Sequence, residues 1–337
     1  MTGTAGGRAA YEAAPNIALV KYWGMRDPLL KLPYNSSLSV TLDRLRTRTE
    51  VVFDPRLSAD RLSLNGQVVG GSSLAGVSDF LDRVRSLAGV RLWASVRSRN
   101  NFPTASGLAS SASGFAALAG AATAALGLDL APRQLSQLAR QGSGSAARSV
   151  FGGFVEWRAG DRSDGSDSYA TMLHSPRHWP SLRDLVLEVR DAPTKERRSQ
   201  EAMQTTVRTS PAYARRQREL PGRLRRLKAA LRDRDPERLF PLIIEECDSF
   251  REVCETTVPS LDYLTVTSRA ILGEVRAINR EAGRAVAAYT HDAGAHVHVF
   301  TLARDLDRLR ARLVRLPGVA RTLALRPGPG ARRIPQG

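Results

Sequence analysis

"NFPTASGLASSASG" (residues 101–114) holds one Pro, two Gly, four Ser and three Ala in fourteen positions, too little side chain to build a core of its own. It runs directly into "FAALAGAATAAL" (115–126), where alanine, the strongest helix former, dominates; the spacing predicts a helix within 107–127. A Gly- and Ser-rich turn that enters a helix gathers free backbone N–H groups and hydroxyls at the positive end of the helix dipole, a place that favours an anion. Gly107 and Gly114 would let phosphate oxygens approach the main chain, while Ser110 and Ser111 add hydroxyls, Ser110 being also a candidate Mg²⁺ ligand. No Gly-Lys-Ser/Thr follows, so the Walker pattern is excluded. A plainer alternative is a helix start made small so that it packs closely.

Three further stretches carry chemistry-bearing side chains. "APNIALVKYWGMRD" (14–27) is apolar up to Val20 and then sets Lys21, Tyr22 and Arg26 around Gly24, as a strand would if its end opened onto an anion; Trp23 reads as core. "RQGSGSAARS" (140–149) is a second Gly/Ser turn, carrying Arg140 and Arg148, and arginine suits forked binding of a carboxylate or phosphate. "AYTHDAGAHVHVF" (288–300) puts Asp292 on a tight turn between two apolar strands, where a carboxylate can act as a base or bond its own backbone as an Asx turn. His296 and His298 share a strand face, but no third ligand stands near, so packing rather than metal binding is expected of them.

A chain of 337 residues, 42% hydrophobic, can bury a large core, and its size suggests two domains. Only two cysteines, Cys247 and Cys254, are present, no apolar run is long enough to span a bilayer, and a cytoplasmic setting is expected. The charge of +17 raises the question of nucleic acid. Its densest run, "RRQRELPGRLRRLKAALRDR" (215–234), carries Leu220, Leu224, Leu227 and Leu231 at helical spacing and no interleaved aromatic residue. Its arginines are therefore expected on the wet face of an amphipathic helix, with a small anionic ligand rather than nucleic acid as partner.

Strands are expected over 38–53, 90–98, "LVLEVR" (185–190), 284–290 and 296–303, and helices over 211–232, 236–253 and 262–282. Residues 135–157 read as helix, turn and strand, followed by a polar hairpin or loop. Residues 1–10 and "RPGPGARRIPQG" (326–337) have the composition of poorly ordered ends.

In order and wording, "NIALVKYWGMRD", "PYNSSLSVTL", "NNFPTASGLASSASG", "RQGSGSAARSVFGGFVEW", "VPSLDYLTVTSRAI" and "AYTHDAGAHVHVF" resemble the mevalonate diphosphate decarboxylase family of the GHMP kinase superfamily, over about residues 12–303. The resemblance implies an α+β, two-domain GHMP kinase fold. Residues 1–182 would form an N-terminal α/β ATP-loop domain and 183–325 a ferredoxin-like C-terminal domain, with the active cleft between them, residues 326–337 as a disordered tail, and a homodimer as the assembly. It implies ATP and Mg²⁺ as cofactors and a phosphorylated mevalonate as substrate, phosphorylated on its C3 hydroxyl before phosphate and CO₂ leave. By motif position Asp292 matches the catalytic carboxylate, Arg148 the arginine on the substrate carboxylate, and Lys21 the partner that keeps Asp292 ionised. Asn16, Tyr22, Ser143, Gly144, Ser145 and Ser199 fall on substrate positions, and Pro103, Gly107, Leu108, Ala109, Ser110 and Ser111 on the ATP loop.

Two departures bear on the substrate. Members acting on the diphosphate usually carry Lys where this chain has Met25, and "TKERRSQEAMQTT" (194–206) has Gln200 where bacterial members often have Arg. Each lost charge-assisted bond is worth roughly 1.5–3 kcal/mol. Mevalonate 5-phosphate, giving isopentenyl phosphate, is therefore the favoured expectation, with the 5-diphosphate as the alternative and a kinase that stops at phosphorylation as a further one. Arg26, Arg197 and Arg198 are candidates to restore the missing charge. A silent RNA-binding relative is disfavoured by the joint presence of Lys21, Arg148 and Asp292.

Overall fold

The computed structural model describes residues 6–102, 110–192 and 199–335. Three sheets organise it. A six-stranded sheet runs in the order Arg332–Ile334, Arg8–Ala13, Thr47–Phe53, Ala94–Asn100, Arg61–Leu64, Gln67–Val68, antiparallel except where Arg61–Leu64 joins Ala94–Asn100. The helices Gly71–Ala88, Ser110–Ala125 and Pro132–Gly142 pack with it around a core of Ala9, Val51, Phe53, Phe80, Val84, Ala116, Ala119 and Leu138. Small residues decide how close they lie: a Cβ on Gly120 would sit 2.3 Å from the Tyr11 ring. Close packing is thus one use of this Ala-rich stretch.

The second sheet, Ala170–His174, Phe154–Trp157, Ser37–Thr41, Asn16–Val20, is antiparallel throughout. The third, Ala287–Thr290, Val297–Leu302, Leu182–Val189, Val319–Leu325, belongs to the C-terminal half. One face of it packs Leu185, Leu187, Tyr289 and Val299 against Ile271 and Val275 of the helix Val266–Ala282 and Leu309 and Leu313 of Leu306–Leu313. Its other face joins Ile17, Val20, Leu38 and Val40 of the second sheet to Val186, Ala288 and Phe300, with Leu220, Leu227, Leu231, Phe240 and Ile243 from the helices Tyr213–Asp233 and Pro236–Glu255. Burial of this shared apolar surface fixes the two halves against each other.

Most expected elements appear near their places, and the differences have physical causes. The single stretch 38–53 is two strands in different sheets: Arg44 takes a left-handed conformation (φ 62°) and turns the chain between them. The helices Gly71–Ala88, Ser199–Thr209 and Leu306–Leu313 were not read from the pattern. Residues 8–10, expected to be loose, are paired with Glu50, Val51 and Val52.

The segment expected as a disordered tail is ordered through residue 335. Asp43 N–H donates to Arg326 O (2.8 Å), Gly328 N–H to Thr41 O (2.7 Å), and Arg332–Ile334 forms the edge strand beside Arg8–Ala13. Its glycines allow this approach, since a Cβ on Gly328 would lie 2.5 Å from Asp43 N and one on Gly330 2.4 Å from Val150 O.

Candidate active site

Every residue of the strand Asn16–Val20 is buried, and the chain leaving it delivers Lys21 to the junction of the halves. Lys21 Nζ donates to Ala18 O (2.8 Å) and to Asp292 Oδ1 (2.7 Å). Asp292 lies in the turn between Ala287–Thr290 and Val297–Leu302, closed by Gly294 N–H on Asp292 O (2.8 Å). Its carboxylate therefore reaches across to Lys21 instead of bonding its own backbone. The two side chains differ in access, Lys21 being 3% exposed and Asp292 28%. Burial pushes the Asp292 carboxyl up, but the charge and hydrogen bond of Lys21, with smaller help from His298 and Arg148, outweigh it and hold the group below its ordinary value. An ionised, partly open acid results, able to take a proton.

Arg148 sits in the short helical turn Ala146–Ser149. Its Nε donates to Asn16 Oδ1 (3.0 Å) and its Nη1 to Ser37 Oγ (2.6 Å). Asn16 Nδ2 donates back to Ser145 O (3.2 Å) and Ser149 Oγ (2.8 Å), so one strand residue fixes both the arginine and the turn carrying it. Burial pulls the guanidinium down to about 10, with Asp292 and Tyr22 holding it up; it remains a cation at neutral pH. Neither Arg148 nor Arg140 pairs with a carboxylate among the described residues.

The turn Ser143, Gly144, Ser145 rests on Tyr22, where a Cβ on Gly144 would lie 2.6 Å from the ring. Tyr22 meets Trp157 edge-on at 4.7 Å, and burial pushes its phenol up despite Arg148 and Arg140. Ser143 Oγ donates to Ser111 Oγ (3.4 Å) and lies 3.4 Å from Ser145 Oγ, so the second Gly/Ser turn touches the start of the helix Ser110–Ala125. That first turn holds no acidic residue, Ser110 and Ser111 are not buried, and Ser113 instead turns inward to Thr47 (2.6 Å). A helix start of this kind fits a triphosphate. Pro103, Gly107, Leu108 and Ala109 lie outside the described residues, as do Arg197 and Arg198.

Ser199 opens the helix Ser199–Thr209, which docks on the Lys21 loop through Trp23 Nε1 donating to Thr206 Oγ1 (3.1 Å). Met25 is buried in the same apolar cluster with Trp23, Ala202, Met203 and Tyr213. Arg26 donates to Gly160 O (3.2 Å) and Arg162 O (3.0 Å).

The structure corrects two sequence readings outside the core of the site. Arg140, one of two candidate anion clamps, is spent on main-chain carbonyls: Leu30 O (3.0 Å), Gly165 O (2.9 Å) and Ser168 O. Arg216 and Arg223, expected on a wet face, are buried and both bond Glu246. His296 and His298 share no ligand: His298 Nδ1 lies 2.7 Å from Asp184 Oδ2, while His296 Nδ1 accepts from Val189 N–H (3.2 Å). Among the described residues no group of three or more His, Cys, Asp or Glu is placed to hold a metal.

Sequence reasoning also missed Asn35, Ser37 and Glu246. Asn35 Nδ2 donates to Lys21 O (3.0 Å), Ser37 receives Arg148, and Glu246 Oε1 accepts from Lys21 N–H (3.0 Å). A signal for Glu246 exists: it shares a helical face with the buried Leu239, Ile243 and Phe250, where a carboxylate needs partners.

Two α+β halves, an ionised acid meeting a lysine between them, and an anion-favouring helix start in contact with the Ser143–Ser145 turn fit a phosphoryl-transfer enzyme of the GHMP kinase superfamily. Residues 13–170 match the diphosphomevalonate decarboxylase-like N-terminal domain and residues 185–322 the mevalonate 5-diphosphate decarboxylase C-terminal domain. The chain is 42% identical over 316 residues to the diphosphomevalonate decarboxylase of Aspergillus fumigatus, covering 89% of this chain and 78% of the relative. The solved mevalonate diphosphate decarboxylase of Staphylococcus aureus superposes with a TM-score of 0.92 at 35% identity, over 98% of each chain. The complex of MDDEF with MVAPP, AMPPCP and magnesium gives 0.91 at 35% identity, over 98% of this chain and 100% of that one. The chain belongs to the diphosphomevalonate decarboxylase family and is an ATP-dependent decarboxylase.

Proposed function

We propose that this enzyme converts mevalonate 5-diphosphate and ATP to isopentenyl diphosphate, CO₂, ADP and phosphate, in a cleft between residues 1–182 and 183–325. The observation that carries the reading is the Lys21–Asp292 contact of 2.7 Å across the two halves, with the Arg148 cation felt by the same carboxylate. Bound ATP with Mg²⁺ supplies the phosphoryl group, and Ser110 and Ser111 at the helix start are the described residues that would hold it, Ser110 toward the metal. Asp292 takes the proton of the C3 hydroxyl, and Lys21 keeps that acid ionised and faces the developing negative charge. Arg148 holds the substrate carboxylate beside the buried Asn16 and Ser37, so that when the C3–O bond breaks, the C1–C2 pair forms the new double bond and CO₂ departs. The turn Ser143–Ser145, with Tyr22 and Ser199, meets the phosphate end.

The monophosphate favoured from the sequence finds no support in relatives such as those of Aspergillus fumigatus, Ganoderma lucidum and Gibberella zeae, which are named for the diphosphate. One observation keeps it as a second reading: Met25 is packed into the Trp23–Met203 cluster and offers no charge. The homodimer rests on the family resemblance and the cytoplasmic setting on the scarcity of cysteine; light scattering tests the first. Release of ADP and CO₂ measured side by side on the two mevalonate phosphates tests the function. Preference for the diphosphate by tenfold or more in kcat/KM is expected. Preference for the monophosphate would establish the second reading, and ADP without CO₂ a kinase.

A further inference from the structure

Lys21 comes from the N-terminal half and Asp292 from the C-terminal half, so something must hold the two in register. The helix Pro236–Glu255 packs against both strands that deliver them. On that helix Glu246 is sealed, 1% exposed, and its Oε1 accepts the Lys21 backbone N–H at 3.0 Å. Its other contacts are Arg216, on Oε1, and Arg223 Nη1 on Oε2 (2.8 Å). Arg216 Nη2 also lies 3.4 Å from Lys21 O, which Asn35 Nδ2 approaches at 3.0 Å. The next residue, Cys247, is fully buried and packs in one apolar cluster with Ala287 and Tyr289 of the strand that leads to Asp292.

We infer that Glu246 is a positioning residue: its carboxylate grips the backbone of Lys21 from a helix that also packs Cys247 against the strand leading to Asp292, and so sets the distance between the two side chains. The inference deepens the proposed function and rests on it for its kinetic consequence only. A buried carboxylate held by two arginines is a poor way to gain stability, because desolvation offsets most of the attraction. Arg216 is consistent with this, since its Nε and Nη1 are buried with no hydrogen-bond partner among the described residues. What the arrangement does provide is an acceptor of fixed direction for one N–H of the catalytic loop.

Two double variants separate gripping from charge burial. Glu246→Met with Arg216→Met removes the buried pair and the acceptor together; Glu246→Gln with Arg216→Met removes the pair but leaves an amide oxygen for Lys21 N–H. The first readout, independent of turnover, is the titration of Asp292 followed by carboxyl NMR, with Lys21, Arg148, His291 and His298 the charged or titratable groups that face it. In the Met/Met variant the Asp292 carboxyl should titrate at least one unit higher than in the wild type, and in the Gln/Met variant within half a unit. Turnover should follow, falling tenfold or more in kcat in the first and recovering to within about threefold in the second, with the acid limb of the rate profile displaced the same way. Equal Asp292 titration in both variants and the wild type would overturn the inference even if both melt earlier. Should Met/Met not fold, Cys247→Ala loosens the packing of the same helix on the strand leading to Asp292, an upward displacement of that titration being expected and none refuting it. A wild type inactive on both mevalonate phosphates would sink the functional reading while leaving the titration test standing.

Discussion

Arg140 and Arg148 bound one Gly/Ser-rich stretch, and the regions around them handle a buried guanidinium in opposite ways. Arg140 lies in the last turn of the helix Pro132–Gly142 and gives its N–H groups to the carbonyls of Leu30, Gly165 and Ser168, tying together the segments that carry them. Arg148 gives its groups to two side chains, Asn16 and Ser37, which are neutral and leave its charge to act on Asp292 and on whatever anion enters. Burial pulls both down to about 10. Burial and charge therefore do not tell the two arginines apart; the kind of oxygen each one bonds does. Main-chain carbonyls cannot move aside for a ligand, whereas an amide and a hydroxyl can share.

Four experiments bear on that contrast. The largest effect is expected from Asp292→Asn, which removes the anion that Arg148 and Lys21 face: kcat should fall on the order of a thousandfold, the scale of a lost general base, with ATP binding retained in calorimetry. Near-normal CO₂ release would detach the Arg148 region from chemistry altogether. Arg140→Gln should cost about 3 kcal/mol of stability by leaving buried carbonyls unpaired, while kcat/KM at a temperature well below melting stays within a factor of two. A loss of activity without a loss of melting temperature would erase the distinction between the two arginines. Arg148→Gln should behave the other way, lowering kcat/KM roughly 30-fold, equivalent to about 2 kcal/mol, through KM as well as kcat.

The smallest effect concerns His291. Burial, then Lys21, pulls its imidazole from 6.5 to about 4, so the folded protein disfavours its protonation relative to the unfolded chain. Its contribution is complete above the ordinary histidine value and is lost as pH falls toward about 4. Between pH 7 and 5.5 that loss is about 1 kcal/mol, and His291→Phe should flatten the melting curve's pH dependence by that amount. An unchanged slope would show that this turn is not tuned by its histidine.

Much of the site was legible because its chemistry depends on residue types at turns. Lys21, Asp292, Arg148 and the Ser143–Ser145 turn all stand where apolar strands or Gly/Ser runs stop, and the structure brings them to one place. Arg140 and Arg148 could not be told apart in sequence, since both flank the same turn and only tertiary contacts show which meets carbonyls. Arg216 and Arg223 were misread for a related reason: helical spacing put the leucines inward, but a buried Glu246 on the neighbouring helix drew two arginines in with them. The split of 38–53 into strands of different sheets depends on Arg44 turning left-handed, a conformation no propensity assigns to arginine. The Gly- and Pro-rich end looked loose because the same residues serve disorder and close backbone contact alike.

That end has a consequence for the order of folding. The edge strand Arg332–Ile334 lies beside Arg8–Ala13, with Ala10 opposite Ile334, so the first sheet gains this strand only when residues far apart in the chain have been brought together. Until then the outer edge of Arg8–Ala13 is unpaired, and the segment carrying Arg148 lacks the Ala331 N–H that reaches Val150 O (3.2 Å). An intermediate with that edge open is the species a chaperone or a second copy would find most easily.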